Sequence, residues 1–198
     1  IAFIDEQVGR IMSALDEAGL TENTLVIYTS DHGDWLGDHG LILKGPMPYE
    51  GLLRVPMIVK GPGVRPGLVV DEPVSTLDIA ATFYDYCDLV PGLHQHGTTL
   101  RPLVEGEGAR SFAMMEWELL PNRVGVALSL RTVRTKTAKL TKDLRSGAGE
   151  MYDLSSDPSE MQNIYDDPKH AELRAELESY LMRRPDDIGP INSAVGPG

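Results

Sequence analysis

The sequence has very little cysteine and no long apolar run. Its 198 residues include one cysteine, Cys87, which excludes an internal disulfide bond and leaves the cellular compartment undetermined. No run of about 18 apolar residues and no charged segment followed by an apolar leader is present, so neither a membrane span nor a signal peptide is predicted. Because the chain begins at Ile1 and is already in a helical pattern there, we expect a fragment of a longer protein.

Positive charge is also scarce. The chain has 18 basic and 30 acidic residues, a formal net charge of −12. This balance disfavours binding to nucleic acid or to anionic membranes, and an anionic substrate would need a locally positive pocket. The deficit lies mainly in residues 1–100, with 14 acids against 5 bases, and is smaller in residues 101–198, with 16 against 13. The shift suggests two regions.

The first region alternates helical and strand-like patterns. Apolar residues at helical spacing predict a first helix, and Gly19 followed by Leu20 predicts its C-terminal cap. The short apolar runs 25–28 and 55–59 predict strands buried on both faces. A further helix is expected within "EPVSTLDIAATFYDYCDL", with Cys87 on its apolar side. Helix, strand, loop, strand and helix in this order indicate an α/β layer with parallel strands.

The second region has a different pattern. "SFAMMEW", "VGVALSLRTVRTKTAKLTKD" and "GEMYDL" are typical of an antiparallel sheet, and a final helix is expected to begin at Pro168. A dense basic run lies within these strands, comprising Arg131, Arg134, Lys136, Lys139, Lys142 and Arg145. Strand alternation favours a solvated sheet face for these bases, and a polyanion site is the alternative.

A polar cluster follows the first strand, in "TLVIYTSDHGDWLGDHGLILK" from Thr24 to Lys44. Ligands of open α/β sheets bind at the carboxyl ends of strands, so the place suits an active site. Asp31 and His32 would reach one divalent cation if the backbone turns at Gly33, and Lys44 would hold an anionic oxygen. Asp34 and His39 are candidates to support the site. The same residue types also occur in solvated turns, and this alternative stays open, as does a surface position for His94 and His96.

Three blocks in order carry a family resemblance: "IDEQVGRIMSALDEAGLTENTLVIYTSDHGDWLGDHGLILKG", "YEGLLRVPMIVKGPG" and "MYDLSSDPSEMQNIYDDP". Together they resemble the type I sulfatase family of the alkaline phosphatase superfamily. The resemblance implies the C-terminal part of an alkaline phosphatase-like α/β core with a parallel or mixed sheet, followed by a small α+β subdomain with an antiparallel sheet and one helix. We place the core part at residues 1–106, the subdomain at 107–184 and a tail at 185–198.

The resemblance also implies chemistry. Asp31 and His32 match the family's metal-ligand pair, and Lys44 matches the lysine that contacts the sulfate oxygens. The cation would be a single divalent ion, calcium first, with manganese or zinc as alternatives because imidazole is a softer ligand than an amide. The partner would be a small sulfate ester or a sulfated sugar, and a homo-oligomer is possible.

One family feature is missing from the sequence. The formylglycine nucleophile is made within a C/S-x-P-S/A-R motif, and no stretch of this chain has it. The chain is therefore expected to need the N-terminal half of the same protein and to be inactive alone. Two other hypotheses remain: a phosphodiesterase or phosphonate monoester hydrolase of the same superfamily, and a non-catalytic fragment or pseudoenzyme half.

Overall fold

The computed structural model describes residues 1–92, 94–121 and 125–185. The predicted tail at 185–198 therefore lies outside the described residues, apart from Pro185. The helices are α1 (Ala2–Glu17), α2 (Glu50–Leu53), α3 (Leu77–Tyr86), α4 (Arg101–Glu105) and α5 (Ala171–Leu181). The strands are β1 (Val26–Thr29), β2 (Met57–Lys60), β3 (Ala113–Leu119), β4 (Leu128–Arg134), β5 (Ala138–Asp143) and β6 (Gly149–Asp153). None of the described helices has the length and apolar character needed to cross a membrane.

Helix α1 ends as the sequence predicted. The Gly19 backbone is left-handed (φ 68°), its N–H donates to Asp16 O at 2.9 Å, and the Leu20 N–H donates to Leu15 O at 3.1 Å. These two bonds make a Schellman cap, which satisfies carbonyl groups that a helix end otherwise leaves unpaired. No residue of α1 is buried, and Phe3, Ile4 and Ile11 are each more than half exposed.

Strands β1 and β2 form a two-stranded antiparallel sheet, in which Val26 pairs with Lys60 and Thr29 with Met57. The predicted parallel direction is wrong for this pair. A parallel connection needs a crossover of a dozen or more residues, usually a helix, whereas α2 has only four residues and the chain between the strands folds back on itself. Burial on both faces is also wrong, because Tyr28 is 37% and Ile58 62% exposed.

The second region is a four-stranded antiparallel sheet in the order β3-β4-β5-β6, with α5 packed against it. Its core contains Val133, Leu140 and Met151 from the sheet and Leu177 from the helix, all 0% exposed. Alternation along the strands directs these side chains to one face, where they meet the apolar side of α5. The predicted antiparallel sheet with one helix is confirmed.

A buried ion pair ties α3 to the chain that enters β3. The Asp78 side chain is 1% exposed and is contacted by both terminal nitrogens of Arg110, one of them at 3.0 Å. It also accepts the backbone N–H groups of Ser75 and Thr98 at 2.7 and 2.9 Å. A bidentate arginine and two amides satisfy a carboxylate that would otherwise be costly to bury. Cys87, by contrast, is exposed, so its predicted place in the core is wrong; α3 ends at Tyr86, and Cys87 lies just beyond the helix.

Candidate active site

The polar cluster begins directly after β1, where the backbone leaves the strand. The Ser30 hydroxyl donates to His32 O at 2.9 Å, and the His32 N–H donates to the Asp31 carboxylate at 2.9 Å. These local bonds turn the chain within three residues, so that two neighbouring side chains point the same way instead of to opposite faces of a strand. This is the turn that binding of one ion by both residues requires.

Three of the predicted site residues meet at this turn. Asp31 Oδ2 lies 3.4 Å from His32 Nε2, and His32 Nε2 lies 2.9 Å from Lys44 Nζ. Lys44 is twelve positions beyond His32, so the intervening loop must return to the end of β1 to bring them together. The Asp31 carboxylate is 82% and the His32 ring 39% exposed, and both are open to a ligand. The backbone N–H of His32 donates to the Asp31 carboxylate and lowers the pKa of Asp31, which favours the ionised form that binds cations.

The orientation of His32 fits a metal ligand. Nδ1 lies 2.7 Å from Gly33 O, and a carbonyl oxygen can only accept, so the hydrogen bond assigns the proton to Nδ1. The Nε2 lone pair is then directed toward Asp31 and Lys44. A metal-binding histidine typically has this arrangement, in which the second ring nitrogen donates to a carbonyl or carboxylate group.

Gly33 holds the turn against a second segment. Its N–H donates to Leu52 O at 2.8 Å, and a Cβ at this position would collide with the carbonyl oxygen of Gly51. The sequence suggested Gly33 as a residue that makes a turn inexpensive. The structure gives a different reason, because Gly33 is not among the residues with positive φ and is required by the close approach of α2.

The loop that returns Lys44 to the site is anchored at its base and turns at two glycines. Trp35 is 5% exposed, and its ring N–H donates to Met47 O at 3.2 Å. Gly37 and Gly40 have positive φ, of 107° and 72°, and the Gly37 N–H donates to Leu41 O at 2.8 Å. The buried indole and the turn together give the loop a defined path.

Asp34 and His39 make local contacts in this loop. The Asp34 carboxylate accepts the Leu36 N–H at 2.8 Å, and the His39 ring stacks on Tyr49 with centroids 3.6 Å apart. Across the part of the chain that the structure describes, no group of three or more His, Cys, Asp or Glu side chains is arranged to hold a metal ion. Asp31 and His32 thus fit two positions of a cation site, and further ligands would have to come from another segment.

The sequence analysis missed a buried charged cluster beside this loop. Lys139, which the pattern placed on a solvated face, is 1% exposed and contacts Glu160, which is itself 3% exposed. Burial lowers the pKa of Lys139, and the charge of Glu160 opposes that shift. Alternation along β5 could not reveal this, because the face that includes Lys139 is covered by residues 48–50 and 160, remote in sequence.

Other bases of the run form ion pairs with acidic side chains. Arg131 lies 2.8 Å from Glu116, Lys142 lies 2.8 Å from Glu178, and Arg134 lies 3.2 Å from Glu50. These pairs favour the structural interpretation of the basic run over a polyanion site.

Two family models match the chain. Residues 37–187 match the model described as N-sulphoglucosamine sulphohydrolase, C-terminal, and residues 1–42 match the model described as type I phosphodiesterase / nucleotide pyrophosphatase. An uncharacterized sulfatase of Escherichia coli, YidJ, is 34% identical over 94% of this chain and 37% of its own length. An N-acetylglucosamine-6-O-sulfatase of Bacteroides thetaiotaomicron is 32% identical over 90% of this chain and 33% of its own length.

Solved structures agree in fold. The phosphonate monoester hydrolase of Agrobacterium radiobacter superposes with a TM-score of 0.77, at 32% identity, over 91% of this chain and 38% of that chain. The chain has the alkaline phosphatase-like α/β fold, as this likeness over 91% of its length indicates.

The chain belongs to the type I sulfatase family and corresponds to a C-terminal portion of its members. It spans about a third of the length of the two curated relatives above, 37% and 33%.

Proposed function

We propose that this chain is the C-terminal part of a metal-dependent sulfuric ester hydrolase. One observation carries the proposal: in a chain of the sulfatase family, a carboxylate, an imidazole and an ammonium group meet at the end of β1. The His32 ring lies 3.4 Å from the Asp31 carboxylate and 2.9 Å from the Lys44 ammonium. The nucleophile would be a formylglycine in the N-terminal half of the same protein, as family membership implies.

Asp31 and His32 would hold one divalent cation, with calcium as the first candidate and manganese or zinc as alternatives. When bound, such an ion stabilises negative charge that develops on the ester oxygens. The hydrogen bond from Nδ1 to Gly33 O keeps the His32 ring in one tautomer and one orientation. The His32 N–H donates to the Asp31 carboxylate and lowers its pKa, which favours the ionised form that would bind the cation.

Lys44 would bind the sulfate group. Its ammonium group has three donors and no acceptor, which suits the non-bridging oxygens of an anion. The Lys44 ammonium lies 2.9 Å from His32 Nε2, so an anion that it binds would be held beside the residues that would hold the cation. It would hold the ester in place and stabilise charge on the leaving oxygen, an effect that increases as the bond to sulfur breaks.

The substrate class follows from the same features. A small sulfate ester or a sulfated sugar fits the exposed carboxylate and ammonium groups, and the similarity to an N-acetylglucosamine-6-O-sulfatase supports a sugar. The second candidate is hydrolysis of phosphonate monoesters or phosphodiesters. It is supported by His32, by the model match at residues 1–42 and by the fold of the phosphonate monoester hydrolase.

The test is a comparison of kcat/KM in the full-length protein for an aryl sulfate, an aryl phosphate diester and an aryl phosphonate monoester. A preference for the sulfate of about tenfold or more supports the sulfatase; a preference of that size for either phosphorus ester supports the second candidate. Absence of turnover with all three, in protein whose upstream nucleophile motif is intact, would contradict both.

A further inference from the structure

A buried ion pair lies on the face of the antiparallel sheet opposite α5. Lys139 of β5 is 1% exposed, Glu160 is 3% exposed, and the Lys139 ammonium contacts the Glu160 carboxylate. Glu160 also has a left-handed backbone (φ 57°), which is unfavourable for a residue with a side chain. Buried ion pairs are seldom the most stable solution for a protein core, because desolvation of both charges offsets their attraction. Stability alone is therefore a weak reason for this pair.

The pair holds one short segment of the first region. The Lys139 ammonium donates to Pro48 O at 2.5 Å, and the Glu160 carboxylate accepts the Glu50 N–H at 2.6 Å. The first contact joins residues 91 positions apart in the sequence, and the second joins residues 110 positions apart. Because they fall on either side of Tyr49, they fix the backbone of three consecutive residues at the start of α2.

This segment reaches the site by two routes. From α2, Leu52 O accepts the Gly33 N–H at 2.8 Å, and Gly33 follows His32 directly. In the other direction along the chain, Lys44 precedes Pro48 by four residues, and Met47 O accepts the Trp35 ring N–H at the base of the loop. A displacement of residues 48–52 would therefore move His32 and Lys44, whose mutual geometry the proposed reaction needs.

We propose that Lys139 and Glu160 are a positioning pair. The pair holds residues 48–52 against the antiparallel sheet and thereby fixes the positions of His32 and Lys44 relative to each other. Neither residue touches the site itself. The kinetic part of this proposal rests on the proposed sulfatase function, and its structural part does not.

The chain offers a matched control for the two positions. Lys142 is on the same strand three residues later, and it forms an ion pair with Glu178 of α5 at 2.8 Å on the opposite face of the sheet. Lys142→Met removes an ammonium from β5 without removing a contact to residues 48–52. If a variant at Lys139 and Lys142→Met change kcat or Tm equally, the change is therefore due to a less stable sheet.

Two variants separate positioning from stability. Glu160→Gln keeps an oxygen that accepts the Glu50 N–H but removes the charge. Lys139→Met/Glu160→Leu removes both charges, so no unpaired ion stays buried, while Glu50 retains its partner Arg134 at 3.2 Å. The double variant lacks the hydrogen bonds to Pro48 and Glu50. Its unfolding temperature is nevertheless expected to be close to that of the wild type.

The measurements, made on the full-length protein, are Tm, kcat and KM with an aryl sulfate, and hydrogen–deuterium exchange at the Gly33 amide by mass spectrometry. In the double variant we expect kcat to fall about tenfold or more, since small displacements of catalytic groups have effects of this size, with a smaller change in KM. Exchange at Gly33 should be faster in the double variant than in Glu160→Gln, which keeps the acceptor for the Glu50 N–H, and it should be unchanged in Lys142→Met.

The proposal is wrong if the double variant folds and retains both the wild-type kcat and the slow exchange at Gly33. Equal losses in the double variant and in Lys142→Met would also contradict it. If the wild-type protein hydrolyses no sulfate ester, the proposed function fails, and the exchange at Gly33 still decides whether the pair positions the turn.

Discussion

At the residue scale, the site depends on Lys44, which the loop after β1 brings back to the end of that strand. Lys44 is brought to 2.9 Å from His32 by a turn at Gly37 and Gly40 and by the buried Trp35. Its ammonium brings positive charge next to His32 that does not depend on protonation of the ring.

Substitution of Lys44 tests its role in turnover. Lys44→Ala in the full-length protein should lower kcat/KM for an aryl sulfate by on the order of 100-fold, because one donor to a developing oxyanion is lost. Tm should change little, since the side chain is exposed. Lys169→Ala, at another exposed lysine, is the control and should leave both unchanged. Wild-type kcat/KM in Lys44→Ala would remove Lys44 from the site.

Gly33 is the residue where a single methyl group should disturb the turn. In Gly33→Ala the new Cβ collides with Gly51 O, so we expect a loss of about 1–3 kcal/mol in unfolding free energy. Gly9→Ala, in α1, is the control, because nothing lies within 4 Å of its new Cβ and alanine favours a helix. Chemical denaturation measures both. Equal stability of the two variants would mean that the contact with α2 relaxes at no cost.

The residue scale also shows how much the sequence could predict. Asp31, His32 and Lys44 were found because a polar cluster after an apolar strand matches a family pattern, and the structure brings these three together. Their roles as metal ligands and sulfate-binding residue stay predictions. Lys139 and Glu160 were missed because their importance comes from contacts across 91 and 110 positions, which no local pattern contains.

At the scale of elements, the sequence predicted correctly those features that depend only on neighbouring residues. The cap at Gly19 and Leu20 depends on the backbone of six residues, from Leu15 to Leu20, and it forms as predicted. Strand direction is not local: the apolar runs at β1 and β2 indicate strands but contain nothing about which end of β2 meets β1, and the parallel prediction was wrong. The exposure of Cys87 has the same origin, since the helix ends one residue earlier than its apolar pattern.

The turn from β5 to β6 makes stability depend on pH. Asp143 is 8% exposed, and burial by itself would raise its pKa. The Ser146 hydroxyl and the backbone N–H groups of Ser129, Arg145 and Ser146 outweigh this effect and lower the pKa of Asp143 to about 2, from 3.8. A group whose pKa is lower in the folded state stabilises the fold above its unfolded pKa. This stabilisation is lost as the pH falls from about 4 to about 2.

Asp143→Asn should therefore lower the unfolding free energy at pH 7 by about 2 kcal/mol, and the difference from wild type should shrink between about pH 4 and pH 2. Urea denaturation over this pH range measures it. Asp166→Asn, at a side chain that is 93% exposed, is the control and should show no such trend. A difference that stays constant with pH would mean that the hydrogen bonds to Asp143 do not depend on its charge.

At the scale of the whole molecule, the two sheet regions differ in how much of their apolar surface is buried. The antiparallel sheet has a core closed by α5, with Leu140 and Leu177 at 0% exposure, and its opposite face holds residues 48–50. The two-stranded sheet and α1 present much apolar surface in the described residues, including Phe3, Ile11 and Ile58. The site lies at the end of β1, where Asp31, His32 and Lys44 come together.

This composition of the site predicts an inactive chain. The 198 residues alone should hydrolyse no aryl sulfate, even with added calcium, because the family's nucleophile motif does not occur in their sequence. They should also bind a divalent ion weakly, since two ligands give poor geometry for calcium, which takes six to eight. A sulfate-release assay and calorimetry check these outcomes. Turnover by this chain would contradict the assigned roles, and tight binding would mean that Asp34, Asp38 or His39 is a ligand.

The most direct test of the central claim is the calcium dependence of aryl sulfate hydrolysis by the full-length protein, wild type against Asp31→Asn. We expect a chelator to abolish wild-type turnover and added calcium to restore it, while Asp31→Asn needs on the order of 10-fold more calcium or more for half of its activity. Asp88→Asn, at another exposed aspartate, should behave as the wild type. Turnover that is insensitive to the chelator, or an unchanged calcium requirement in Asp31→Asn, would contradict a metal site at the end of β1.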